Sequence, residues 1–416
     1  MQNKKIKWAS IIPLIGGMPI ANKNVTGTAP QYLLSYKAFA NNEAPLRKYW
    51  PEVPYQAIDE DLDEARHVIQ KYKNIDFVSS VCPCAGLSQL NTGGTTHANT
   101  KRGSDAIQNE WLYTAANFVL REIRPRVYWG ENAPGLYTQL GKGVQDKMWE
   151  IAKNFGYSFS IVKTNTMLHG IPQHRQRTFY FFWDSKYAPL ISWMNKPLPT
   201  LSEYLAQVPE DALYQDVAFD KGHIGVYNRI PIYKYMVHKL GKAYRNYLYE
   251  RNIHSIWDWV QQENLFEDAI KWIEEQKLDK TGKIIRRLKY IIEKLKNGKG
   301  YWNSSPQIVK DHTHAIITRN VFTVHPDKER FLTVREFMHM MGMPMDFEFT
   351  NMNKAYKILT QNVPVNTAMD VTKEVVKYLN GELISSNAMF VKQDNTNQTI
   401  EIIERSNRSI KFFGED

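Results

Sequence analysis

Cysteine is scarce in this sequence, because the 416 residues include only Cys82 and Cys84, two positions apart. Thiols so close together cannot cross-link distant segments, so a disulfide framework is excluded and we expect an intracellular protein. Cysteine and histidine do not cluster at the spacing of a structural zinc site, and we expect no metal cofactor. The two thiols are therefore candidates for chemistry rather than for cross-linking.

Long apolar runs are missing as well. No stretch of about 20 uninterrupted apolar residues occurs, so we expect a soluble chain that does not enter a membrane. The G-x-G-x-x-G fingerprint of dinucleotide-binding proteins is also absent. Gly16 and Gly17 follow an apolar run, however, and a pair of glycines there suits a small-molecule cofactor at a sheet edge.

Acidic residues are outnumbered by basic ones. The chain has 53 Lys and Arg against 43 Asp and Glu, which gives a net charge of +10. This charge favours a polyanionic partner such as a nucleic acid. A requirement for solubility can also account for such a charge. The net charge is therefore consistent with a nucleic-acid partner but does not establish one.

Short apolar runs alternate with helical patterns over residues 8–184, and this alternation predicts a parallel sheet built from βαβ units. Residues 185–320 differ, since they are rich in Tyr, Trp, Lys and Asn and carry long helical patterns at about 233–250 and 255–296. Within them, Lys277 to Lys299 has nine basic residues against two acids, which indicates either a phosphate-binding surface or a solvated helix face.

A compact pattern returns after this basic segment. Thr333 and Glu336 have the spacing of a capping box at the start of a helix. Asn366 or Thr367 is expected to cap a last helix that runs to about Leu379. The polar segment 385–416 contains a possible hairpin, in which residues 388–391 face residues 399–403.

Polar side chains with catalytic potential stand at the ends of three predicted strands, two of them after a strand and one before it. Cys84 ends an apolar run, where ligands bind in open α/β sheets, and the amides of the following Ala85-Gly86-Leu87-Ser88 are expected to lower its thiol pKa. Glu131 follows the next strand and can hydrogen-bond a ring nitrogen. Arg175 and Arg177 alternate into a further strand and can contact a carbonyl or a phosphate. A buried structural cysteine, a surface glutamate and a basic edge strand are the alternatives.

Taken together, these clusters resemble the DNA cytosine-5 methyltransferase family over about residues 8–184 and 318–380. The matching segments occur in the family's order and are Ile12-Pro13-Leu14-Ile15-Gly16-Gly17-Met18, Pro83-Cys84-Ala85-Gly86-Leu87-Ser88, Glu131-Asn132-Ala133-Pro134, Gln173-His174-Arg175-Gln176-Arg177, Leu332-Thr333-Val334-Arg335-Glu336 and Gln361-Asn362-Val363-Pro364. The first segment departs from the usual Phe-x-Gly-x-Gly-Gly, because Pro13 and Leu14 precede only Gly16-Gly17. Residues 185–317 resemble no segment of the family.

The resemblance implies an α/β protein with the Rossmann-like S-adenosylmethionine-dependent methyltransferase fold and an inserted target-recognition domain. The expected segments are a first catalytic part at 1–184, target recognition at 185–320, a return to the catalytic domain at 321–384 and a tail at 385–416. The cofactor is S-adenosylmethionine. The residues expected near it are Gly16, Gly17, Met18, Glu43, Asp59, Pro83 and Asn362.

The resemblance also implies how the catalytic residues work on a cytosine that is flipped out of duplex DNA. Cys84 attacks C6 as a thiolate. Glu131 hydrogen-bonds the N3 edge, and Arg177 contacts the base carbonyl. Asn132 orders the pocket, and Arg175 supports it or contacts the backbone. The residues expected to contact DNA are Ser88, Arg286, Arg287, Lys289, Trp302, Asn303 and Arg319.

Other functions remain open at the level of sequence. The same chemistry can act on RNA, as it does in tRNA-directed relatives, and a DNA-binding protein can keep the fold without activity. An unrelated thiol enzyme would need a histidine near Cys84, and His97, His169 and His174 form no recognised arrangement of that kind. For the methyltransferase we expect a monomer in the cytoplasm of a bacterium or a phage-infected cell, with a role in restriction–modification or in shielding phage DNA.

Overall fold

The computed structural model describes residues 5–58, 63–84, 86–88, 103–216, 230–298, 306–317, 323–403 and 409–413. The chain divides into two compact units. The first, which we call the catalytic unit, consists of Met1–Leu198, Met341–Met343 and Asn362–Asp416. The second, the inserted unit, consists of Pro199–Met340 and Pro344–Gln361. As expected, the catalytic unit takes residues from both sides of the insertion, but the inserted unit begins at Pro199 and reaches Gln361, whereas the sequence predicts target recognition at 185–320.

Ten strands of the described residues form one large sheet in the catalytic unit, in the order β16-β15-β14-β6-β8-β5-β4-β1-β2-β3. The strands along the chain are β1 Trp8–Ile11, β2 Leu33–Tyr36, β3 Tyr55–Ile58, β4 Phe77–Val81, β5 Val127–Asn132, β6 Ser158–Asn165, β7 Gln173–His174, β8 Gln176–Trp183, β9 Pro189–Leu190, β10 Gln307–Ile308, β11 Thr313–His314, β12 Thr323–Val324, β13 Ile384–Ser385, β14 Phe390–Asp394, β15 Thr399–Ile403 and β16 Ser409–Phe413.

The predicted parallel sheet is confirmed for β1 to β5, which pair in parallel along the order β3-β2-β1-β4-β5. Strand β8 departs from it, since it runs antiparallel to both β5 and β6. The amino end of β8 therefore lies at the same edge of the sheet as the carboxyl ends of β1 to β5. We call this the carboxyl edge.

The helices of the described residues alternate with these strands and fill the inserted unit. They are α1 Gly17–Thr26, α2 Lys37–Ala40, α3 Ala44–Tyr49, α4 Asp63–Lys71, α5 Glu110–Phe118, α6 Lys142–Phe155, α7 Leu201–Leu205, α8 Ile230–Leu240, α9 Tyr244–Glu250, α10 Ile256–Gln262, α11 Phe266–Glu275, α12 Lys283–Lys296, α13 Val334–Met340, α14 Met352–Gln361 and α15 Val365–Leu379. None of the helices in the described part of the chain is long and apolar enough to cross a membrane.

The sheet has helices on both faces, and its central strands are buried throughout. All residues of β1, β4 and β5 are buried, as expected for parallel strands covered on both sides. Helix α15 returns from the far end of the sequence and packs against α1. The first and last matched segments of the family pattern are therefore neighbours in the catalytic unit.

The inserted unit has its own apolar core, formed mainly by α8 to α12. The two long helices expected over this region are interrupted. Gly241, Asn264 and Lys277 adopt left-handed backbone conformations, with φ of 65°, 52° and 52°, and each one separates two helices. Asn and Gly favour this conformation, but Lys does not, which is why the break at Lys277 gives little signal in the sequence.

Two expected helix starts differ in outcome. The capping box is confirmed, because Thr333 N–H donates to Glu336 Oε2 (2.7 Å) and Glu336 N–H donates to Thr333 Oγ1 (3.1 Å). The cap expected at Asn366 or Thr367 is wrong, because α15 already begins at Val365 after Pro364. The fixed φ of a proline suits a helix start, so no side-chain cap is required there.

The hairpin expected in the carboxyl-terminal segment is confirmed as β14 and β15, which pair antiparallel. It does not form a separate tail. Strand β14 pairs in parallel with β6 from Phe390 opposite Phe159 to Asp394 opposite Lys163, so the hairpin extends the large sheet. Phe390 is buried in the core of the catalytic unit.

Candidate active site

Cys84 lies just beyond the carboxyl end of β4. It follows Pro83 and is exposed to solvent. Its carbonyl oxygen accepts a hydrogen bond from Leu87 N–H (3.0 Å), which closes a turn after the strand. The other thiol, Cys82, is buried, with 2% of its surface exposed. The exposed thiol is thus the one that the sequence predicts as the nucleophile.

Glu131 is on β5 beside β4, because its Cα partner in the parallel register is Val81. Arg177 is near the amino end of β8, which runs antiparallel to β5, so it reaches the same edge. The Nε of Arg177 lies 2.5 Å from Glu131 Oε1. Asn132 is fully buried, and its Oδ1 accepts a hydrogen bond from Ala133 N–H (2.8 Å), so it shapes the strand end.

Arg175 precedes β8 and is almost completely buried, at 1% exposure. Its backbone is fixed against Thr166, since Arg175 N–H donates to Thr166 Oγ1 (3.2 Å) and Thr166 N–H donates to Arg175 O (3.1 Å). Its guanidinium donates to the backbone carbonyl of Asn362 (3.1 Å). Both arginines act electrostatically on Cys84 and Glu131, so the structure brings all four predicted groups into one site.

Desolvation raises the pKa of both acidic groups of the site. Protein atoms around Cys84 desolvate its thiol even though solvent reaches it, and this raises its pKa. The charge of Glu131 raises it further, while Arg177 and Arg175 lower it. Burial likewise raises the pKa of Glu131, against the opposing effect of Arg177 and Arg175. A backbone hydrogen bond also lowers the thiol pKa, but desolvation is the larger effect, so the net shift is upward and not downward as expected from the turn.

A buried hydroxyl cluster lies beneath the nucleophile. Ser80 Oγ is 2.8 Å from Tyr128 OH and 2.6 Å from Tyr180 OH, and Tyr180 OH lies 3.7 Å from Cys82 Sγ. Gly130 makes room for this cluster, because a Cβ at that position would lie 2.2 Å from Tyr180 OH. The cluster fixes β4 against β5 and β8 at the point where the catalytic groups emerge.

The glycine turn after β1 lies at the carboxyl edge where the strand order reverses between β1 and β4, the usual ligand crevice of an open α/β sheet. Gly17 begins α1, and its N–H donates to Asn362 Oδ1 (2.9 Å). Asn362 is buried and also approaches Met343 through its Nδ2 (3.2 Å to Sδ). Met18 is buried as well, so Asn362 and Met18 support the turn with their side chains directed into protein.

The other residues predicted to bind the cofactor, Pro83, Glu43 and Asp59, differ in their exposure to solvent and in whether the structure describes them. Pro83 is half-buried between β4 and Cys84. Glu43 is fully buried at the start of α3, where Oε1 accepts from Ser35 Oγ (2.8 Å) and Oε2 from Tyr55 OH (2.6 Å). Asp59 lies outside the described residues. The sequence did not predict that Ser35 and Tyr55 would be hydrogen-bond partners of Glu43. Ser35 stands within the apolar strand β2, and a polar residue there was a signal for a buried polar contact.

An aromatic cluster that sequence reasoning missed lies at the carboxyl end of β2. Tyr36 and Phe39 pack against Trp111, with ring centroids 4.8 Å and 4.9 Å from it. Phe39 and Trp111 are only half-buried, so each presents some ring surface. Aromatic rings beside a glycine turn and polar strand ends fit a purine nucleoside, which stacks on the rings and hydrogen-bonds the strand ends. The residues present therefore fit S-adenosylmethionine.

The predicted DNA contacts fall into three groups. Arg286, Arg287 and Lys289 are exposed on α12, whose opposite face buries Ile284 and Leu288 in the core of the inserted unit. Ser88 is half-buried after the Cys84 turn. Three further predicted contacts lie outside the described residues: Trp302, Asn303 and Arg319.

This site defines the class of protein: an α/β enzyme of the Rossmann-like methyltransferase fold, with a thiol, a carboxyl group and two guanidinium groups at the carboxyl edge of its sheet. The family profile of C-5 cytosine-specific DNA methylases matches residues 33–377. The chain belongs to this family, and the resemblance seen in its motifs is confirmed.

Individual relatives are distant. Type II methyltransferase M.PspPI of Psychrobacter sp. (strain TA137) is 20% identical over 344 residues, which are 81% of this chain and 71% of that protein. Type II methyltransferase M.AgeI of Thalassovita gelatinovora is 31% identical over 107 residues, only 26% of this chain and 23% of that protein. The structure of the Entamoeba histolytica methyltransferase EhMeth matches with a TM-score of 0.53 at 11% identity, covering 91% of this chain and 99% of that one.

Proposed function

We propose that this protein transfers a methyl group from S-adenosylmethionine to C5 of a cytosine that is flipped out of a specific site in duplex DNA. The observation that supports this most directly is the contact of 2.5 Å between Arg177 and Glu131 beside the exposed Cys84. A thiol, a carboxyl group and a guanidinium group match the three positions of cytosine that must be addressed, namely C6, N3 and the carbonyl oxygen.

Cys84 acts as the nucleophile. Its thiolate sulfur forms a bond to C6, and the C5–C6 double bond shifts to C4–C5. The electron pair of the C4–N3 double bond moves to N3, which takes a proton from Glu131. Arg177 donates hydrogen bonds to the base carbonyl and keeps Glu131 in place. C5 has now gained electron density and can accept an alkyl group, which it could not do in the aromatic ring.

The reaction ends by elimination. S-adenosylmethionine held beside the turn of Gly16, Gly17 and Met18 would supply the methyl group to C5 from its sulfonium centre, and S-adenosylhomocysteine would be the leaving group. The C5 proton then leaves to a water molecule, the C5–C6 double bond forms again, and the electrons of the breaking S–C6 bond return to Cys84. N3 returns its proton to Glu131, so both residues recover their starting states.

The raised pKa values of Cys84 and Glu131 suit this sequence of steps. Burial favours a protonated Glu131, which is the form that can donate to N3. A protonated Glu131 no longer opposes ionisation of Cys84, whereas Arg175 and Arg177 continue to favour the thiolate. Protonation of the carboxyl group and ionisation of the thiol therefore support each other when the base is bound.

Cofactor binding is assigned to the carboxyl edge of β1 to β4. We propose that the backbone of Gly16, Gly17 and Met18 borders the amino-acid group, and that Pro83 lies beside the methyl-bearing end. Phe39 and Trp111 offer ring surface to the adenine. Asn362 takes part by fixing Gly17. Asp59, which lies outside the described residues, is assigned to the ribose or the adenine from its position near a strand end in the sequence.

DNA binding is assigned to the inserted unit and to Ser88. The exposed cations Arg286, Arg287 and Lys289 suit the phosphate backbone, because phosphate contacts supply most of the affinity of such proteins without reading sequence. Two of the relatives named above, M.PspPI and M.AgeI, are called Type II methyltransferases. We propose the same class of role, modification of a defined DNA site, for this chain.

A mechanism-based trap tests the chemistry. Duplex DNA with 5-fluorocytosine at the target cannot lose a proton from C5, so the wild-type enzyme with S-adenosylmethionine should form a stable adduct at Cys84, seen by mass spectrometry of peptides. Cys82→Ser should keep the adduct and Cys84→Ser should abolish it. The target site comes first from bisulfite sequencing of DNA from expressing cells. If Cys84 formed an adduct only with RNA that carries 5-fluorocytosine, the substrate would be RNA and not DNA. If no adduct formed with either nucleic acid, the covalent mechanism would be wrong.

A further inference from the structure

The turn that joins β1 to α1 has an unusual backbone. Ile12, Leu14 and Gly16 all have positive φ angles, of 52°, 52° and 99°. Only Gly16 lacks the Cβ that makes this left-handed region unfavourable. Leu14 stands where the family's motif has its first glycine. A leucine therefore adopts here a backbone conformation that glycine favours.

Other parts of this turn have evident restraints. Ile12 N–H donates to Leu34 O (2.9 Å), and Val81 N–H donates to Ile12 O (3.3 Å), so both backbone groups of Ile12 are held by neighbouring strands. Gly16 N–H donates to Pro13 O (3.0 Å). Leu14 lies between these two fixed points.

The backbone N–H of Leu14 is hydrogen-bonded by the carboxylate of Glu43. The same carboxylate accepts from Ser35 on β2 (2.8 Å) and from Tyr55 on β3 (2.6 Å). Glu43 thus connects the turn after β1 with the two strands next to it. It has no exposed surface, and Arg47 is the cation whose charge acts on it.

We propose that Glu43 is a positioning residue that holds Leu14, in the turn between β1 and α1, in its left-handed conformation. A glycine at position 14 would adopt this conformation without help because it has no side chain, whereas leucine needs the hydrogen bond to Glu43. The alternative role, direct contact with the cofactor's ribose, does not suit its surroundings. Both carboxylate oxygens already accept hydrogen bonds from protein groups, and no part of Glu43 reaches the surface. The cofactor's identity in this inference rests on the proposed function.

A double-mutant cycle between Glu43 and Leu14 tests this role. Glu43→Gln replaces one acceptor oxygen by an amide NH2 that cannot accept, while Leu14→Gly removes the need for restraint. Binding of S-adenosylhomocysteine, measured by calorimetry at pH 8 without DNA, gives a readout that does not depend on turnover. We expect Glu43→Gln to weaken binding about 10-fold or more, as the loss of one hydrogen bond to a charged group would do.

Rescue is the decisive result. Adding Leu14→Gly to Glu43→Gln should restore most of the lost affinity, and adding Leu14→Ala should not, because alanine lacks the leucine side chain but keeps the Cβ. The KM for S-adenosylmethionine should rise in Glu43→Gln while the single-turnover rate at saturating cofactor stays within about two-fold, as expected for an interaction that acts on binding alone. If Glu43→Gln does not fold, Ser35→Ala or Tyr55→Phe takes its place in the cycle, because each of these variants removes one hydrogen-bond donor to the Glu43 carboxylate.

Two outcomes would overturn the proposal. One is unchanged affinity in Glu43→Gln, and the other is a loss that Leu14→Gly and Leu14→Ala rescue equally or not at all, which would point to direct contact with the ligand. If even the wild-type chain fails to bind S-adenosylhomocysteine, the proposed cofactor is wrong. The melting temperatures of the same variants still test the turn, because only glycine at position 14 should then raise the Tm of Glu43→Gln.

Discussion

The guanidinium of Arg175 donates a hydrogen bond of 3.1 Å to the backbone carbonyl of Asn362, a residue 187 positions away in the sequence. The side chain of Asn362 in turn accepts from Gly17 N–H (2.9 Å). One residue therefore contacts both Arg175, which is predicted to serve the active site, and the first residue of α1. Changes on either side of Asn362 are expected to affect the other side.

Arg175→Lys tests the catalytic side of this link. Lysine keeps a charge but cannot present the planar fork of donors that reaches Asn362 O from a buried position. We expect the single-turnover rate to fall roughly 10- to 100-fold, which corresponds to the loss of about 1.5–3 kcal/mol for a hydrogen bond of a charged group. Rapid-quench measurements with saturating cofactor provide the rate. Arg121→Lys, at a side chain that is 55% exposed, is the matched control and should leave it unchanged.

Gly17→Ala tests the cofactor side. An added Cβ would lie 2.0 Å from Val363 O and 2.7 Å from Asn362 Oδ1, so the backbone itself must move. We expect a loss of about 3 kcal/mol or more in the free energy of unfolding, at the upper end for overpacking. Gly27→Ala is the control, because its Cβ would have nothing within 4 Å and its positive φ costs only about 1 kcal/mol. Equal losses in urea titrations of the two variants would contradict the close approach at Gly17.

Thiol alkylation tests the electrostatics of the site. Native protein should react with iodoacetamide at Cys84 alone, because Cys82 is buried. The thiolate is the reacting form, and the charge of Glu131 raises the pKa of Cys84. Glu131→Gln removes that charge and should therefore speed alkylation at pH 9, even as it abolishes methyl transfer. The measurement is the rate of mass increase in the intact protein.

The same experiment has a matched control. Glu110→Gln removes the charge of an exposed carboxylate that forms an ion pair with Lys147 (3.6 Å). This variant should leave the alkylation rate of Cys84 unchanged. Slower alkylation in Glu131→Gln would mean that the carboxylate promotes ionisation of the thiol, contrary to the burial and charge effects described above.

Glu43 makes stability depend on pH. Burial raises its pKa to about 7, against the opposing effects of Tyr55, Ser35, Leu14 and Arg47. Since the folded state binds this proton more tightly than the unfolded chain, the stabilisation is complete below about pH 4.5 and is lost as pH rises through 7. Wild type should lose roughly 2–4 kcal/mol between pH 5 and 8 from this group. Glu43→Gln should lack this component in unfolding curves, and a parallel pH dependence would contradict the assignment.

The cations of α12 are expected to set the salt dependence of DNA binding. Changing Arg286, Arg287 and Lys289 together to glutamine should reduce the slope of log K against log salt by about 2–3, close to one for each phosphate contact. Fluorescence anisotropy at several salt concentrations gives the slope. The control changes three exposed cations of the catalytic unit, Arg66, Lys71 and Lys73. An unchanged slope in the α12 variant would mean that this helix face is only solvated.

The sequence contains much of the site because its residues have special chemistry. Cys84 and Glu131 each lie at the carboxyl end of a parallel strand, and these ends share one edge of the sheet. Their convergence could therefore be predicted without coordinates, whereas that of Arg177 depends on the antiparallel direction of β8. The thiol pKa could not, because it depends on how many atoms surround Cys84 and on the charge of Glu131, which is near it only in the folded chain.

The sequence did not predict the features that depend on partners far away in the chain or on the backbone conformation. The antiparallel direction of β8 and the parallel pairing of β14 with β6 depend on connections that local patterns do not encode. Lys277 ends a helix by adopting a left-handed conformation that its residue type does not favour. Glu43 was predicted near the cofactor from its position alone, whereas its buried partners Ser35 and Tyr55 became visible only in the structure.

The pairing of Gly17 with Asn362 spans 345 positions, and this has a consequence for synthesis of the protein. A ribosome adding about 5–20 residues per second takes on the order of tens of seconds to travel from one to the other. During that time the nascent chain already carries its nucleophile but lacks the segment that fastens its first helix. The contact that fastens this helix can therefore form only after residue 362 has been translated.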